Sequence, residues 1–413
     1  MTGLSASTSV GAGGSAPARV SDVRQRNRRE ALRRIILAGS TSRAELARDS
    51  GLSIGSVTNI ATELIAEGLV VEAGMVASQG GRPVTLLAPN PSGAYLLGAD
   101  VGERGVAVEL FDLSMTRVDR EFRGGREDES LEAISQDLRE AVAALRERNP
   151  DAWERTVGIG LGLPGIVEWD ADGHQVLHAQ SLGWPAVSIS ELVDSDIPVF
   201  AENGAKTLAM AEMWNGSARD VDEALVLLLG RGVGLGIVSD GELAHGHMSS
   251  AGEWGHVKIE RNGRLCRCGG RGCVEAYLGA DAILDSWREA GGRFEGSGWR
   301  AIGELLEAER AGDPVASAVV EELVQTLGSA VGGLVNLTNP QRVVIGGWVG
   351  LRLMETLAPP IESAIRAASL DRPGSQFELV PCRFGGDTVA LGAAMMPLGV
   401  LLNEPRGMVH AGA

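Results

Sequence analysis

VFAENGAKTLAMAE, Val199–Glu212, is the stretch from which the architecture can be read. A short apolar strand ends in Glu202-Asn203, and small residues and helix formers follow directly. A strand that runs into a helix in this way presents its polar tip at the mouth of an α/β cleft. A carboxylate at position 204 could act there as a base, but the residue is glycine and carries no side chain.

Outward from this loop, strand and helix patterns alternate. AYLLGADVG (94–102), VAVELFDL (106–113), a helix over Leu131–Arg148 and TVGIGLGLPGIVEW (156–169) make one α/β unit. EALVLLLGRGVGLGIVSDGEL (223–243), a helical stretch over Val315–Leu337 and RVVIGGWVG (342–350) make a second. Two similar lobes enclosing a cleft, spanning 91–413, are the simplest arrangement of these pieces.

A chain of 413 residues exceeds what one hydrophobic core organises, so further domains are expected. No apolar run reaches the roughly 18 residues of a membrane span, and the polar opening MTGLSASTSVGAGGSAPA has no hydrophobic h-region. The reading is a cytoplasmic, nucleoid-associated protein with no membrane partner. Three of the four cysteines crowd between 266 and 273, which suggests a metal rather than a disulfide framework.

The net charge of -17 is unevenly spread. Residues 1–89 hold ten Arg against seven Asp and Glu, so this segment alone is suited to phosphates. Residues 1–20, rich in Gly, Ser and Ala, read as a disordered leader. Over 21–90 the pattern is a winged helix-turn-helix. A basic helix runs from Asp22 to Gly39, a second follows in TSRAELARDS, and after the turn Gly51-Leu52-Ser53 comes IGSVTNIATELIAEG, where Val57, Ile60, Ala61, Leu64 and Ile65 keep helical spacing. LVVEAG and VTLLAPN are the two strands of the wing. Ser53, Gly55, Ser56, Thr58, Asn59 and Thr62 offer short polar side chains that can approach base edges and phosphates. Arg82, between glycine and proline, is placed to enter a minor groove.

The order of motifs is specific: winged helix, GRP wing, Asp-x-Gly strand turn, GLPG, EN, GxGxG, EWGH, CRCGGRGCVE and a closing ALGAA. In that order the chain resembles the ROK family of repressors, open reading frames and sugar kinases, over nearly everything after residue 20. The resemblance implies an actin-like sugar-kinase fold of two α/β lobes behind the DNA-binding domain. It also implies a sugar in the cleft and, in catalytic members, ATP beneath it. Family kinases usually read Glu-Asn-Asp where this chain has Glu202-Asn203-Gly204, and that Asp is the base, so no catalytic residue is expected here. Their phosphate turn Asp-x-Gly-Gly-Thr is replaced by Asp100-Val101-Gly102-Glu103-Arg104, their Gly-Thr-Gly by Gly230-Arg231-Gly232, and a small residue by Trp348.

The resemblance further implies that His256, Cys266, Cys268 and Cys273, in the motif at 256–273, hold Zn2+, and three thiolates with one imidazole suit that ion. Asn203, Glu253, His256 and Glu275 match the family's sugar-contacting positions. Lys206 stands where Asn is common, which could favour a sugar phosphate or be an ordinary solvated lysine. The expected function is a sugar- or sugar-phosphate-responsive repressor that binds an inverted-repeat operator in double-stranded DNA as a homodimer or tetramer. The alternatives are a sugar kinase carrying a DNA-binding domain, and a regulator that no longer answers to sugar.

Overall fold

The computed structural model describes residues 20–77, 83–102, 105–124, 128–385 and 388–402. The expected leader, the wing tip with Arg82, and Glu103-Arg104 lie outside the described residues.

Three helices, Val20–Ala38, Arg43–Ser50 and Ile54–Ala66, form the N-terminal unit. Ser42 caps the second helix in a reciprocal box with Glu45, Gly51 turns the chain at φ 69°, and the Ser53 hydroxyl accepts from the Ser56 N–H to start the third. Thr41-Ser42, expected at the start of a helix, instead pair as a short strand with Leu87 and Leu86. The cap explains this, since the residue before a capped helix must be extended. Val70–Val76 and Val84–Pro89 pair antiparallel as the predicted wing, with a bulge between Glu72 and Met75. Leu32, Ile35, Leu46, Val57, Ala61 and Leu64 are fully buried beneath these elements. This core does not stop at the unit's edge: it runs on into the last described helix, Thr388–Leu402. The junction is pinned by Asn90, whose backbone N–H donates to the Leu69 carbonyl at 2.9 Å and whose side chain donates to the Gly68 carbonyl at 2.7 Å.

The first lobe is a five-stranded sheet in the order Val199–Asn203, Thr156–Leu163, Tyr95–Gly102, Gly105–Asp112, Arg117–Gly124, the first three parallel and the rest antiparallel. Alternate residues divide its core: Leu97 and Ala99 meet the helix Leu131–Arg148, and Leu96 faces the helix Thr388–Leu402. That second helix lies directly on the sheet. A Cβ at Gly98 would come within 1.9 Å of the Ala390 carbonyl, and one at Gly160 within 1.9 Å of the Ala393 carbonyl. The glycine-rich strands are thus a packing requirement.

The second lobe has the strand order Glu242–Leu243, Val233–Ser239, Ala224–Leu229, Arg342–Gly346, Glu378–Pro381. Helices Pro314–Thr338 and Gly347–Ala368 pack together on one side of it, and the helix Gly204–Asn215 covers the other. Pro314–Thr338 is long and apolar enough to cross a membrane, but Leu323, Leu327, Val331 and Val335 are buried in this lobe's core. RVVIGGWVG is a strand as far as Gly346 and continues as helix from Gly347. The helices Gly204–Asn215 and Thr388–Leu402 cross between the lobes, where a Cβ at Gly392 would meet the Thr207 carbonyl at 1.7 Å. The cleft opens beside this crossing.

Candidate effector cleft and metal-ligand cluster

Asn203, Gly204, Glu253, His256 and Glu275 come from three separate segments, and all line one cavity of about 250 Å3 between the lobes. Their roles are less uniform than the sequence suggested. The Asn203 carbonyl oxygen caps the helix that follows, accepting from the Ala205 N–H at 2.8 Å, while its amide donates to the Gly165 carbonyl at 2.8 Å. One N–H is left to address a ligand. Glu275 accepts from the Val233 N–H at 3.1 Å and from the Cys266 thiol at 3.6 Å, so it joins the glycine loop to the cysteine loop as well as facing the cavity. Burial pushes the Glu253 carboxyl above the usual range, against the pull of His256 and Lys206. Gly204 looks onto an apolar notch: an added Cβ would lie 3.7 Å from the Leu163 carbonyl, 3.9 Å from Val389 and 4.0 Å from Leu228.

Lys206 is neither a solvated lysine nor a ligand contact. It is 1% exposed and points away from the cavity. Its ammonium donates to Ser249, to the carbonyl and to the hydroxyl at 3.0 Å, and lies 3.5 Å from the Glu202 carboxylate. His245 approaches the other oxygen of Glu202 at 3.1 Å. The motif's polar start is therefore a buried ionic cluster beneath the cleft.

His256, Cys266, Cys268 and Cys273 place one donor atom each within 4.8 Å of all the others. Cys266 Sγ lies 3.7 Å from His256 Nδ1, and Cys268 Sγ lies 3.7 Å from Cys273 Sγ. Tetrahedral coordination with metal–sulfur bonds of about 2.3 Å requires sulfur–sulfur edges of roughly 3.8 Å. The group could hold a metal ion, and its donor types fit a borderline-soft one. The cysteine loop also reaches the first lobe, where the Gln180 amide donates to the Cys268 carbonyl at 3.0 Å and Arg267 pairs with Glu129 at 3.3 Å.

The cavity continues past these residues to Arg231 and Trp348, two of the three departures read from the sequence. Arg231 pairs with Glu129 across the cleft and with Asp281 at 2.6 Å. The Trp348 indole nitrogen lies 3.2 Å from where a Cβ on Gly230 would stand, so the ring flanks the glycine loop. Arg120 and Phe122, which the sequence reading passed over, line the same space. Their signal was faint: RVDREFRG (117–124) is a strand with one exposed face, and its alternation is hidden by charge at both parities.

On the N-terminal unit, Ser53, Gly55, Ser56, Thr58, Asn59 and Thr62 are all exposed on the third helix and the turn before it. Several are already engaged. Ser53 caps, and the Thr58 and Thr62 hydroxyls donate to the Ile54 and Thr58 carbonyls at 2.8 and 2.9 Å. Part of the basic surplus is paired as well, Arg24 with Glu63, Arg28 with Glu67, and Arg43 with Glu72 at 2.9 Å.

Residues 96–399 match the ROK family. The chain is 30% identical over 355 residues to the DNA-binding transcriptional dual regulator NagC of Escherichia coli (strain K12), covering 84% of this chain and 86% of that one. Among solved structures it is similar to a ROK family transcriptional regulator homologous to the E. coli MLC protein, at 26% identity and a TM-score of 0.73 over 92% of this chain and 97% of that one. It is also similar to a ROK family glucokinase from Streptomyces griseus, solved with glucose and AMPPNP. There the identity is 25% and the TM-score 0.63, over 73% of this chain and 99% of the glucokinase.

Proposed function

The chain belongs to the ROK family, and we propose that it is a sugar-responsive transcriptional repressor whose N-terminal unit binds DNA and whose cleft no longer transfers phosphate. The observation that carries this reading is the difference in coverage. The regulator matches 92% of the chain, whereas almost the whole glucokinase is accommodated in 73% of it. What the regulator shares beyond the glucokinase has room for the three-helix unit and its wing. A two-fold dimer would present two third helices to the two halves of an inverted repeat. His256, Cys266, Cys268 and Cys273 would hold Zn2+, which fixes the wall of the cleft that carries Glu253 and Glu275.

A neutral sugar fits better than a sugar phosphate. Lys206 is turned away, and among the described residues the two guanidinium groups that line the cavity are paired with carboxylates, Arg231 with Glu129 and Asp281, Arg120 with Glu109 at 3.1 Å. Operator mapping followed by gel shifts with candidate sugars tests the whole reading. Absence of any specific operator would sink it.

Within this reading Arg82→Ala is expected to weaken operator binding by about 1–3 kcal/mol. Asn59→Ala should cost a similar amount at one base position, because Asn pairs bidentately with adenine. Affinity unchanged in both variants, with circular dichroism of the wild type, would remove wing and helix from the recognition surface.

Gly204→Asp tests the loss of catalysis. A Cβ at this position meets its neighbours only at ordinary contact distances, so the variant should fold. Returning a base restores only the factor of about 10²–10⁴ that proton transfer supplies, while phosphate positioning carries most of phosphoryl transfer. Arg231 and Trp348 still stand in the nucleotide half. ATP consumption is expected to stay at background with every aldohexose tried, and sugar-dependent turnover would show that half to be intact.

A further inference from the structure

Two chemically different kinds of side chain line the cavity, and the proposed function uses only one. Asn203, Glu253 and Glu275 are polar groups suited to sugar hydroxyls, the first through its remaining N–H and the two carboxyls as acceptors. Two aromatic rings from opposite lobes, Trp348 and Phe122, line the same cavity. Phe122 is 51% exposed, and Arg120 lies over its ring at 5.8 Å. One glycine loop joins the two kinds. Glu275 reaches within 3.3 Å of the Cβ position of Gly232, and Trp348 within 3.2 Å of that of Gly230. Two residues of chain span at most roughly 7 Å, so the carboxyl and the indole flank the same short loop. We infer that the effector is a neutral disaccharide, its first ring held by the carboxyls and its second ring against Trp348 and Phe122.

Three features favour a second sugar over a nucleotide there. Among the described residues, Asp100 and Glu275 give the cavity a negative lining, and the two arginines there are already matched by Glu109, Glu129 and Asp281, which leaves polyphosphate poorly compensated. Aromatic faces suit the C–H face of a pyranose, as they suit other apolar ring surfaces. Guanidinium edges beside those faces supply donors for the hydroxyls around the ring.

This inference rests on the proposal that the carboxyls hold a sugar, and the test separates the two. The full-length protein is titrated calorimetrically with xylose and xylobiose, glucose and cellobiose, N-acetylglucosamine and diacetylchitobiose, and with AMPPNP. One disaccharide is expected to bind more tightly than its own monosaccharide. Trp348→Ala should weaken that disaccharide by about 3- to 10-fold, the worth of one aromatic contact, and leave the monosaccharide unchanged within error. Phe122→Ala, at an exposed position, should do the same to a smaller degree and keeps the test open if the tryptophan variant fails to fold. Monosaccharides binding as well as every disaccharide would overturn the inference and leave the sugar-responsive reading standing. So would a disaccharide advantage that survives in both variants, or AMPPNP displacing the disaccharide. No saccharide binding at all would sink that reading and this inference with it.

Discussion

Cys268→Ser is expected to strip the metal from the cysteine loop and abolish the response to effector, while operator binding persists. Four donors converge within 4.8 Å, and serine offers a neutral oxygen where a thiolate stood. Even residues that only orient a metal ligand cost 10- to 100-fold in affinity when mutated, so loss of a ligand should cost at least about 100-fold. The consequence reaches the cleft by short steps. Glu275, two residues after Cys273, holds the Val233 N–H, and the Cys268 carbonyl receives Gln180 from the first lobe. A loosened loop therefore releases one wall of the cavity and part of the contact between lobes. DNA binding should survive because the N-terminal core is built from the three helices and the helix Thr388–Leu402, far along the chain from this loop. Metal content by emission spectrometry and gel shifts with and without sugar are the readouts. A variant with one metal per chain and a normal sugar response would show that the ligand set is wrong.

Much of this molecule was legible before any coordinates, and the reasons are physical. Helical spacing marked Ile54–Ala66 because one of its faces is buried and the other is not, and the same contrast marked Leu131–Arg148. The glycine-rich strands were conspicuous because helix Thr388–Leu402 packs against bare backbone at Gly98 and Gly160. The cysteine cluster was visible because its ligands sit close in sequence. What stayed hidden depends on contacts between distant segments. Strand Arg117–Gly124 contributes Phe122 to the cavity, but nothing local to it says that its exposed face borders a cavity. The cross-lobe pairing of Glu129 with Arg231 and Arg267 joins residues about a hundred positions apart. Asn203 and Glu275 were found as cleft residues, yet their first duties, a helix cap and a strut to Val233, follow only from geometry.

Lys206 is the clearest case, and it yields the other large expectation. From the sequence it was a cation beside a cleft; in the fold it is the partner of a buried acid. Lys206→Met, of similar length and without charge, should destabilise the protein by about 3–5 kcal/mol, because removing one member of a buried pair leaves the other's charge uncompensated. His245, 3.1 Å from Glu202, tempers the cost but cannot replace the bonds to Ser249. The double variant Glu202→Gln with Lys206→Met should recover a large part of the loss, since no unpaired ion remains. Chemical denaturation of the wild type, both single variants and the double variant closes the cycle. If Lys206→Met alone stayed within about 1 kcal/mol of wild type, in the range of exposed pairs, the cluster would be no anchor. If instead the coupling is strong, the polar tip of the Val199–Asn203 strand is held from below by Lys206 and from the side by the Asn203 cap. The gap above Gly204 then has a rigid floor, and an effector can read its shape.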